Sequence, residues 1–324
     1  SFGPLGAKGF AFLNMLQLIG WTSIMIYDAM LALQELAPLS PMIWTIAIGA
    51  LVILWLFIGL HNTGYIQAIV SVLLLGLTLY MGAHMISQWP SEGGLLSSGN
   101  MSFIAALELS IAMPLSWLPL ISDYTRESKN PVSASLTSAT VYTITSIVMY
   151  TLGLSAAIFG GGDSIITIMM NAGLGLAGLI VIIFSTVTTT FMDAYSAGVS
   201  STTIYNGASS KGVAVIVTMV GTIAAILYPM DDITDFLYLI GSVFAPMIAI
   251  LLADYFINRQ QVQTLSAYLV RGLIWAISVG LYHYMLHSES TIGATLPAFT
   301  MAFVVTAIVG FISKTAHTSA EIKH

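Results

Sequence analysis

Residues 42–60 read MIWTIAIGALVILWLFIGL, an apolar run that contains no charged side chain. A helix needs about 20 such residues to cross the roughly 30 Å of hydrocarbon in a bilayer. Only helices satisfy their own backbone groups over runs this apolar, and a transmembrane barrel would alternate in polarity. Similar runs along the chain predict ten spanning helices, near 10–35, 42–60, 64–88, 102–121, 134–159, 172–198, 212–228, 233–257, 266–286 and 292–313.

The composition supports an all-α integral membrane protein with a single transmembrane domain over residues 1–324. Hydrophobic residues make up 57% of the chain and charged residues only 7%, whereas soluble domains carry about a quarter of their residues as charges. Cysteine is absent, which leaves no disulfide framework and no thiolate metal site. The sequence shows no catalytic triad, metal-binding histidine pair, phosphate loop or channel filter, so a transporter is favoured over an enzyme or a channel.

The basic residues test this topology independently. The loops on one side of the membrane carry acidic residues but no Lys or Arg: Glu92, Asp163, Asp231, Asp232 and Glu289. All eight basic residues fall on the other side: Lys8, Arg126, Lys129, Lys211, Arg259, Arg271, Lys314 and Lys323. The positive-inside rule therefore predicts a plasma or inner membrane protein with both termini in the cytoplasm.

The first predicted helix carries a polar stripe. Asn14, Gln17, Trp21 and Asp28 are spaced to share one helix face. Such a stripe should face the bundle or a water-filled path, because lipid would leave its polar groups unsatisfied. Trp21 lies near the middle of its span, away from the interfacial tryptophan belt, and could stack on a flat polar ligand. Simple core packing is the alternative reading of Trp21.

The fourth predicted helix contains two prolines, Pro114 and Pro119, which predict a break or kink near the middle of the membrane. Interrupted helices often expose backbone groups to a substrate in transporters. Glu108 is an intramembrane acid, which suggests either a functional group or a structural hydrogen bond to a neighbouring helix. Trp117 is either a second stacking wall or a packing residue.

The sixth predicted helix carries hydroxyl side chains on one face, from Ser185 through Thr188 and Thr189, followed by Asp193. Hydroxyl and carbonyl oxygens suit an unhydrated Na⁺. The hydroxyls could equally bond back to carbonyls of their own helix. Asp193 could accept hydrogen bonds from an amino group of a ligand or carry a coupling proton.

Several motifs together resemble the nucleobase:cation symporter family, also called the purine–cytosine permease family. The resemblance covers essentially the whole chain and is closest to the branch of hydroxymethylpyrimidine transporters. The motifs that carry it are Ser1-Phe2-Gly3, Gly20-Trp21, Ser122-Asp123-Tyr124-Thr125-Arg126 and Thr188-Thr189.

The resemblance implies the LeuT-like architecture of twelve helices, of which the first ten form two inverted repeats. It also implies that this chain lacks the first two helices of the family. Trp21 matches the stacking tryptophan of the family, and Ser116 falls near its substrate-contacting stretch. Gln17 stands one turn before Trp21 and could replace an amide that relatives carry close to that tryptophan. Asp193 stands near a position where relatives often carry asparagine.

These observations predict a cation-coupled symporter that moves a pyrimidine-type solute by alternating access. Hydroxymethylpyrimidine (a thiamine precursor) and cytosine are the expected solutes. Beyond the lipid bilayer and this solute no partner is predicted, and no nucleic acid. The coupling ion is Na⁺ or H⁺, with no other cofactor, and Ser185, Thr188 and Thr189 are the candidate Na⁺ ligands. The candidate substrate ligands are Trp21, Gln17, Glu108, Ser116, Trp117 and Asp193. A same-fold transporter of another small solute, such as an amino acid, and a transport-inactive truncated fragment are the alternatives.

Overall fold

A computed structural model describes residues 1–36, 38–58, 60–87, 102–125, 128–159, 173–259, 264–288 and 291–321. In this part of the chain ten helices are long and apolar enough to cross a membrane. They are α1 Gly3–Leu36, α2 Pro41–Ile58, α3 Leu60–Ser87, α4 Phe103–Thr125, α5 Pro131–Phe159, α6 Gly175–Ile204, α7 Ser210–Leu227, α8 Thr234–Leu252, α9 Leu265–His287 and α10 Thr295–Glu321. The all-helical membrane fold expected from the sequence is therefore confirmed.

The helices differ from the predicted spans mainly at their ends. Helix α1 begins at Gly3 rather than near residue 10, and α10 continues to Glu321. Helix α8 passes into a π-helical segment, Ala253–Asn258, which ends at Arg259 in the left-handed conformation (φ 49°). Of the loop charges used for the topology, Glu92, Arg126, Asp163, Glu289 and Lys323 lie outside the described residues.

The break predicted in the fourth helix is not observed. Helix α4 runs continuously from Phe103 to Thr125 with Pro114 and Pro119 inside it. A proline has no backbone N–H, so Pro114 and Pro119 leave the carbonyls of Ser110 and Leu115 without their usual helical donor. Ser116 Oγ donates to the carbonyl of Met113 at 2.6 Å, and Gln17 Nε2 donates to the carbonyl of Ser116 at 3.0 Å. Membrane helices tolerate internal prolines, and these two bonds reach carbonyls other than the two that the prolines free.

The chain divides into two compact units, and each is described by itself. The first unit comprises Ser1–Gln17, Gly99–Ile121 and Asp232–His324. Its core lies where α8, α9 and α10 pack together, and one cluster contains Ala249, Ile250, Ile274 and Ala302. A second cluster contains Tyr282, Ala294 and Ala298.

The π-helical end of α8 carries a polar cluster in the first unit. Arg271 of α9 donates to Asp254 from Nε and from Nη2, each at 2.9 Å, and both side chains are buried. Asn258 donates to Asp254 at 2.8 Å and to the carbonyl of Thr306 in α10 at 3.1 Å. Arg271 was expected to flank a loop, but it lies inside α9, where Asp254 compensates its charge. The cluster therefore joins α8, α9 and α10.

The second unit comprises Leu18–Ser98 and Ser122–Asp231. In it α7 packs against α2 and α6, and glycines allow α7 to approach α1 and α2 closely. A Cβ atom at Gly221 would lie 2.7 Å from the Cγ2 atom of Thr22, and one at Gly49 would lie 2.3 Å from the Oγ1 atom of Thr222. One core cluster combines α1, α2, α6 and α7 through Ile26, Ala29, Ala32, Leu33, Ile48, Leu179 and Ala225.

Candidate functional site

Trp21 and Asp193 lie at the same level of two neighbouring helices in the second unit. Thr190 of α6 donates to the sulfur of Met25 of α1 at 3.6 Å. The residues of α1 that follow Met25 share a core cluster with Leu179, which precedes Thr190 along α6. The two helices therefore run in opposite directions. Trp21, four residues before Met25, comes opposite Asp193, three residues after Thr190.

Asp193 is a buried carboxylate with no partner among the described residues. Its exposed fraction is 5%, and it forms no hydrogen bond or ion pair with them. Burying an isolated carboxylate is strongly unfavourable unless it is neutralised or paired. The arrangement therefore suits a group that either binds a donor from a ligand or holds a proton. The sequence alone had left both roles open.

The hydroxyl run on α6 bonds to its own helix. Thr188 and Thr189 each donate to the carbonyl of Ser185, at 3.0 and 2.9 Å. Thr190 donates in the same way to Thr186 at 2.8 Å. These bonds occupy the hydroxyl hydrogens, and the oxygen lone pairs remain able to bind a cation. Among the described residues no group of three or more His, Asp or Glu side chains could hold a metal ion.

Gln17 presents a buried acceptor in the first unit. Its Nε2 atom donates to Asn14 Oδ1 at 2.7 Å and to the carbonyl of Ser116 at 3.0 Å. Because both partners are acceptors, the amide nitrogen must face them and the amide oxygen points elsewhere. Oε1 is buried and has no hydrogen-bond partner in the described part of the chain. It is therefore able to accept a hydrogen bond from a ligand.

Glu108 is already fully engaged in the first unit. Oε1 accepts hydrogen bonds from the backbone nitrogens of Ala294 and Thr295, both at 3.1 Å. Oε2 accepts one from the backbone nitrogen of Thr295 at 2.9 Å and another from the hydroxyl of Thr295. Of the two readings of Glu108, this geometry supports the structural hydrogen bond to a neighbouring helix.

The remaining candidates differ in exposure. Ser116 is buried, Trp21 and Trp117 are partly buried, and Asp28 is exposed. The candidate residues fall in both units. Gln17, Glu108, Ser116 and Trp117 belong to the first, and Trp21, Ser185, Thr188, Thr189 and Asp193 belong to the second.

Sequence reasoning missed two polar features. The first is the Asp254–Arg271 pair, although both residues fall inside predicted spans, and a charge there indicates a buried partner. The second is Thr22, whose fully buried hydroxyl has no hydrogen-bond partner among the described residues. Nothing in the sequence distinguishes Thr22 from the many other hydroxyl residues of the spans.

The comparison with protein families gives one match over most of the chain. Residues 9–322 match the family described as permease for cytosine/purines, uracil, thiamine, allantoin. The chain belongs to this family. Among curated members of this permease family, the cytosine permease of Escherichia coli (strain K12) is 25% identical over 185 residues. The same identity holds for the cytosine permease of Escherichia coli O157:H7.

These relatives are longer than the part that matches. The alignment covers 56% of this chain and 44% of the cytosine permease, so the match spans less than half the length of the curated relative. A solved structure resembles 94% of this chain with a TM-score of 0.75 and 17% sequence identity, and 76% of the solved chain is covered. That structure is of Mhp1, a nucleobase-cation-symport-1 family transporter, in a closed conformation with bromovinylhydantoin bound. This likeness shows that the chain has the fold of that transporter.

Proposed function

We propose that the protein is a cation-coupled symporter that carries an aminopyrimidine, such as hydroxymethylpyrimidine or cytosine, across the cell membrane. Family membership supports the transport of a nucleobase-like solute. The observation that carries the choice of substrate is the buried, partnerless carboxylate of Asp193. An ionised carboxylate is an acceptor only, so it selects a solute that offers a donor. The exocyclic amine of a 4-aminopyrimidine is such a donor.

Trp21 supports the same class of solute. It lies opposite Asp193 on the neighbouring helix, and the flat face of an indole stacks on a planar heterocycle. A ring stacked on Trp21 would present its edge toward the level of Asp193. Thus Trp21 recognises the flat face of the solute, and Asp193 recognises the edge that carries the amino group.

Within the first unit, taken by itself, we propose Gln17, Ser116 and Trp117 as substrate ligands. The unpaired Oε1 atom of Gln17 is a second buried acceptor, and it again favours a solute rich in N–H donors. An unsatisfied buried polar atom costs about 1–3 kcal/mol, which a bound donor would recover. Glu108 is left out of the contact set because the first turn of α10 occupies its carboxylate.

The coupling cation has two possible binding groups in the second unit. The hydroxyl oxygens of Ser185, Thr188 and Thr189 are hard ligands of the kind that Na⁺ takes. Asp193 is the alternative, as a carrier of a proton. We propose the hydroxyl face as the Na⁺ site, because its oxygens lie on one side of α6 and Thr188 is buried.

A thermal-shift panel on the full-length protein tests the proposal, using cytosine, hydroxymethylpyrimidine, uracil and amino acids with and without Na⁺. We expect the aminopyrimidines to raise the unfolding temperature, uracil to raise it less, and Na⁺ to enlarge the shift. Uracil carries a carbonyl in place of the amine and so serves as the matched control. A larger shift with uracil or with an amino acid would contradict the proposed substrate. A shift in unfolding temperature that does not depend on Na⁺ but changes with pH would indicate that the coupling ion is a proton.

A further inference from the structure

We propose that Glu108 is a positioning residue, which holds α4 against the first turn of α10 and thereby sets the place of Ser116 and Trp117. Glu108 does not itself contact the substrate. The roles of Ser116 and Trp117 rest on the proposed function, whereas the attachment of α4 to α10 does not.

The first support is the complete occupation of the Glu108 carboxylate. It accepts hydrogen bonds from the backbone nitrogens of Ala294 and Thr295 and from the hydroxyl of Thr295. Glu108 is 6% exposed and Thr295 5%, so water competes little for these bonds. The first nitrogens of a helix lack partners within the helix and favour an anion. Glu108 supplies that anion to α10 from a helix nearly two hundred residues away in sequence.

The backbone before α10 is shaped around this carboxylate. Gly293 adopts a φ of +77°, which disfavours any residue with a side chain. A Cβ atom there would also lie 2.1 Å from Oε1 of Glu108. Two independent constraints therefore require glycine at the point where Glu108 meets α10.

The start of α10 is itself fixed, so it can act as an anchor. Ala294 and Ala298 pack against Tyr282 of α9, whose side chain is fully buried. The hydroxyl of Tyr282 in turn lies close to α8, since a Cβ atom at Gly241 would come within 2.8 Å of it. The first turn of α10 is thus held by two other helices of the same unit.

Glu108 acts on Ser116 through the length of α4. A buried stripe runs along this helix through Glu108, Ala112, Leu115, Ser116 and Leu120. Eight residues separate Glu108 from Ser116, which is about 12 Å along a helix. At the Ser116 end of this stretch, Nε2 of Gln17 donates a hydrogen bond to the carbonyl of Ser116.

The segment between these two attachments contains Pro114, which cannot donate to the carbonyl of Ser110 and so softens the helix. The position of Ser116 and Trp117 therefore depends on both attachments. Losing the attachment at Glu108 would let this stretch of α4 shift without removing any substrate ligand.

The test combines Glu108→Gln, Thr295→Val and the double variant in the full-length protein. Affinity for cytosine, hydroxymethylpyrimidine and uracil is measured, together with the unfolding temperature without ligand. We expect each single variant to weaken every affinity by a similar factor, about three- to tenfold, the range for one hydrogen bond. The order of the three ligands should stay unchanged. The double variant should be no worse than the poorer single variant, because both changes break one attachment.

Ser110→Ala serves as the control, since Ser110 is exposed on the same helix and its hydroxyl, within the described part of the chain, bonds only to the carbonyl of Ala106 in its own turn. Its affinities should match those of the wild type. A changed ligand order in Glu108→Gln alone would show direct contact and overturn the proposal. Lower unfolding temperatures of the Glu108 and Thr295 variants with unchanged affinities would also overturn the proposal. They would show that Glu108 only stabilises the start of α10. If the wild type binds none of the three ligands, the proposed function is wrong. If the losses in unfolding temperature of Glu108→Gln and Thr295→Val add up in the double variant, the two residues do not form one attachment and the proposed positioning role of Glu108 is wrong.

Discussion

Asp193 shows how a single buried group can define a substrate. A carboxylate that finds no donor in its own unit is unfavourable in the empty protein and becomes favourable when a ligand supplies one. An asparagine at the same position would both donate and accept, so it would not discriminate between an amine and a carbonyl. The choice of Asp over Asn at this position thus bears on which pyrimidine is bound.

Asp193→Asn in the full-length protein should therefore weaken the binding of cytosine and hydroxymethylpyrimidine. We expect a loss of about 1.5–3 kcal/mol, the range for hydrogen bonds to charged groups, which is about ten- to a hundredfold in affinity. Uracil should lose less or gain, because asparagine can donate to its carbonyl. Isothermal titration of each ligand measures these changes.

Asp28→Asn is the matched control, because Asp28 is an exposed carboxylate on α1, and it should leave the affinities unchanged. Normal binding with failed accumulation against a gradient would instead assign the coupling proton to Asp193. If binding and concentrative uptake were both unchanged, Asp193 would have neither role.

At the scale of helices, polar residues decide how the elements are joined. Asp254, Arg271 and Asn258 connect three helices, and Glu108 joins α4 to α10. In a bilayer the apolar surfaces of helices gain little by meeting one another, since lipid is equally apolar. Hydrogen bonds and close packing through small residues therefore carry much of the specificity of association.

Arg271→Met should be strongly destabilising, because it leaves Asp254 buried without its partner. Removing one member of a buried ion pair costs about 3–5 kcal/mol. The double variant Asp254→Leu with Arg271→Met should recover most of this loss, since no lone charge remains. Unfolding temperatures in detergent measure both, and Arg259→Met, at an exposed position, should change them little. A double variant as unstable as Arg271→Met would show that the charges are not the cause.

Gly49→Ala should separate α2 from α7. The new Cβ atom would lie 2.3 Å from the hydroxyl oxygen of Thr222, and such overpacking costs about 1–3 kcal/mol. Adding Thr222→Ala should restore stability by removing the obstructing atoms. Gly76→Ala in α3, where a Cβ atom meets nothing within 4 Å, should be neutral or stabilising. Equal unfolding temperatures for Gly49→Ala and wild type would contradict this packing.

At the scale of the whole molecule, the distribution of charges predicts how the chain crosses the membrane. The link from α6 to α7 contains Lys211, whereas the link from α7 to α8 contains Asp231 and Asp232. The positive-inside rule therefore places these two links on opposite sides.

Single cysteines can test this arrangement, because the chain contains none of its own. A cysteine at Asp232 should react with an impermeant thiol reagent added to intact cells, while one at Ser209 should react only after the cells are opened. Both positions lie in short exposed or partly exposed links, so a difference in labelling would reflect sidedness. Labelling of Ser209 from outside would overturn the topology.

The sequence by itself determined the fold class, because the length of an apolar run and the absence of charge are local properties. Runs such as 42–60 can satisfy their backbone in lipid only as helices, so the ten helices follow from composition and spacing. The hydroxyl face of α6 was predictable for the same reason, since helical spacing fixes which residues share a face.

Tertiary structure decided which polar groups are paired. Glu108 and Asp193 are both intramembrane acids in the sequence, yet the start of α10 occupies one and nothing described occupies the other. The carbonyl of Ser116 in α4 likewise finds its side-chain donor in Gln17, a residue of another helix. Hydrogen-bond partners distant along the chain leave no periodic signal in the sequence, and only the packing of helices brings them within about 3 Å of each other.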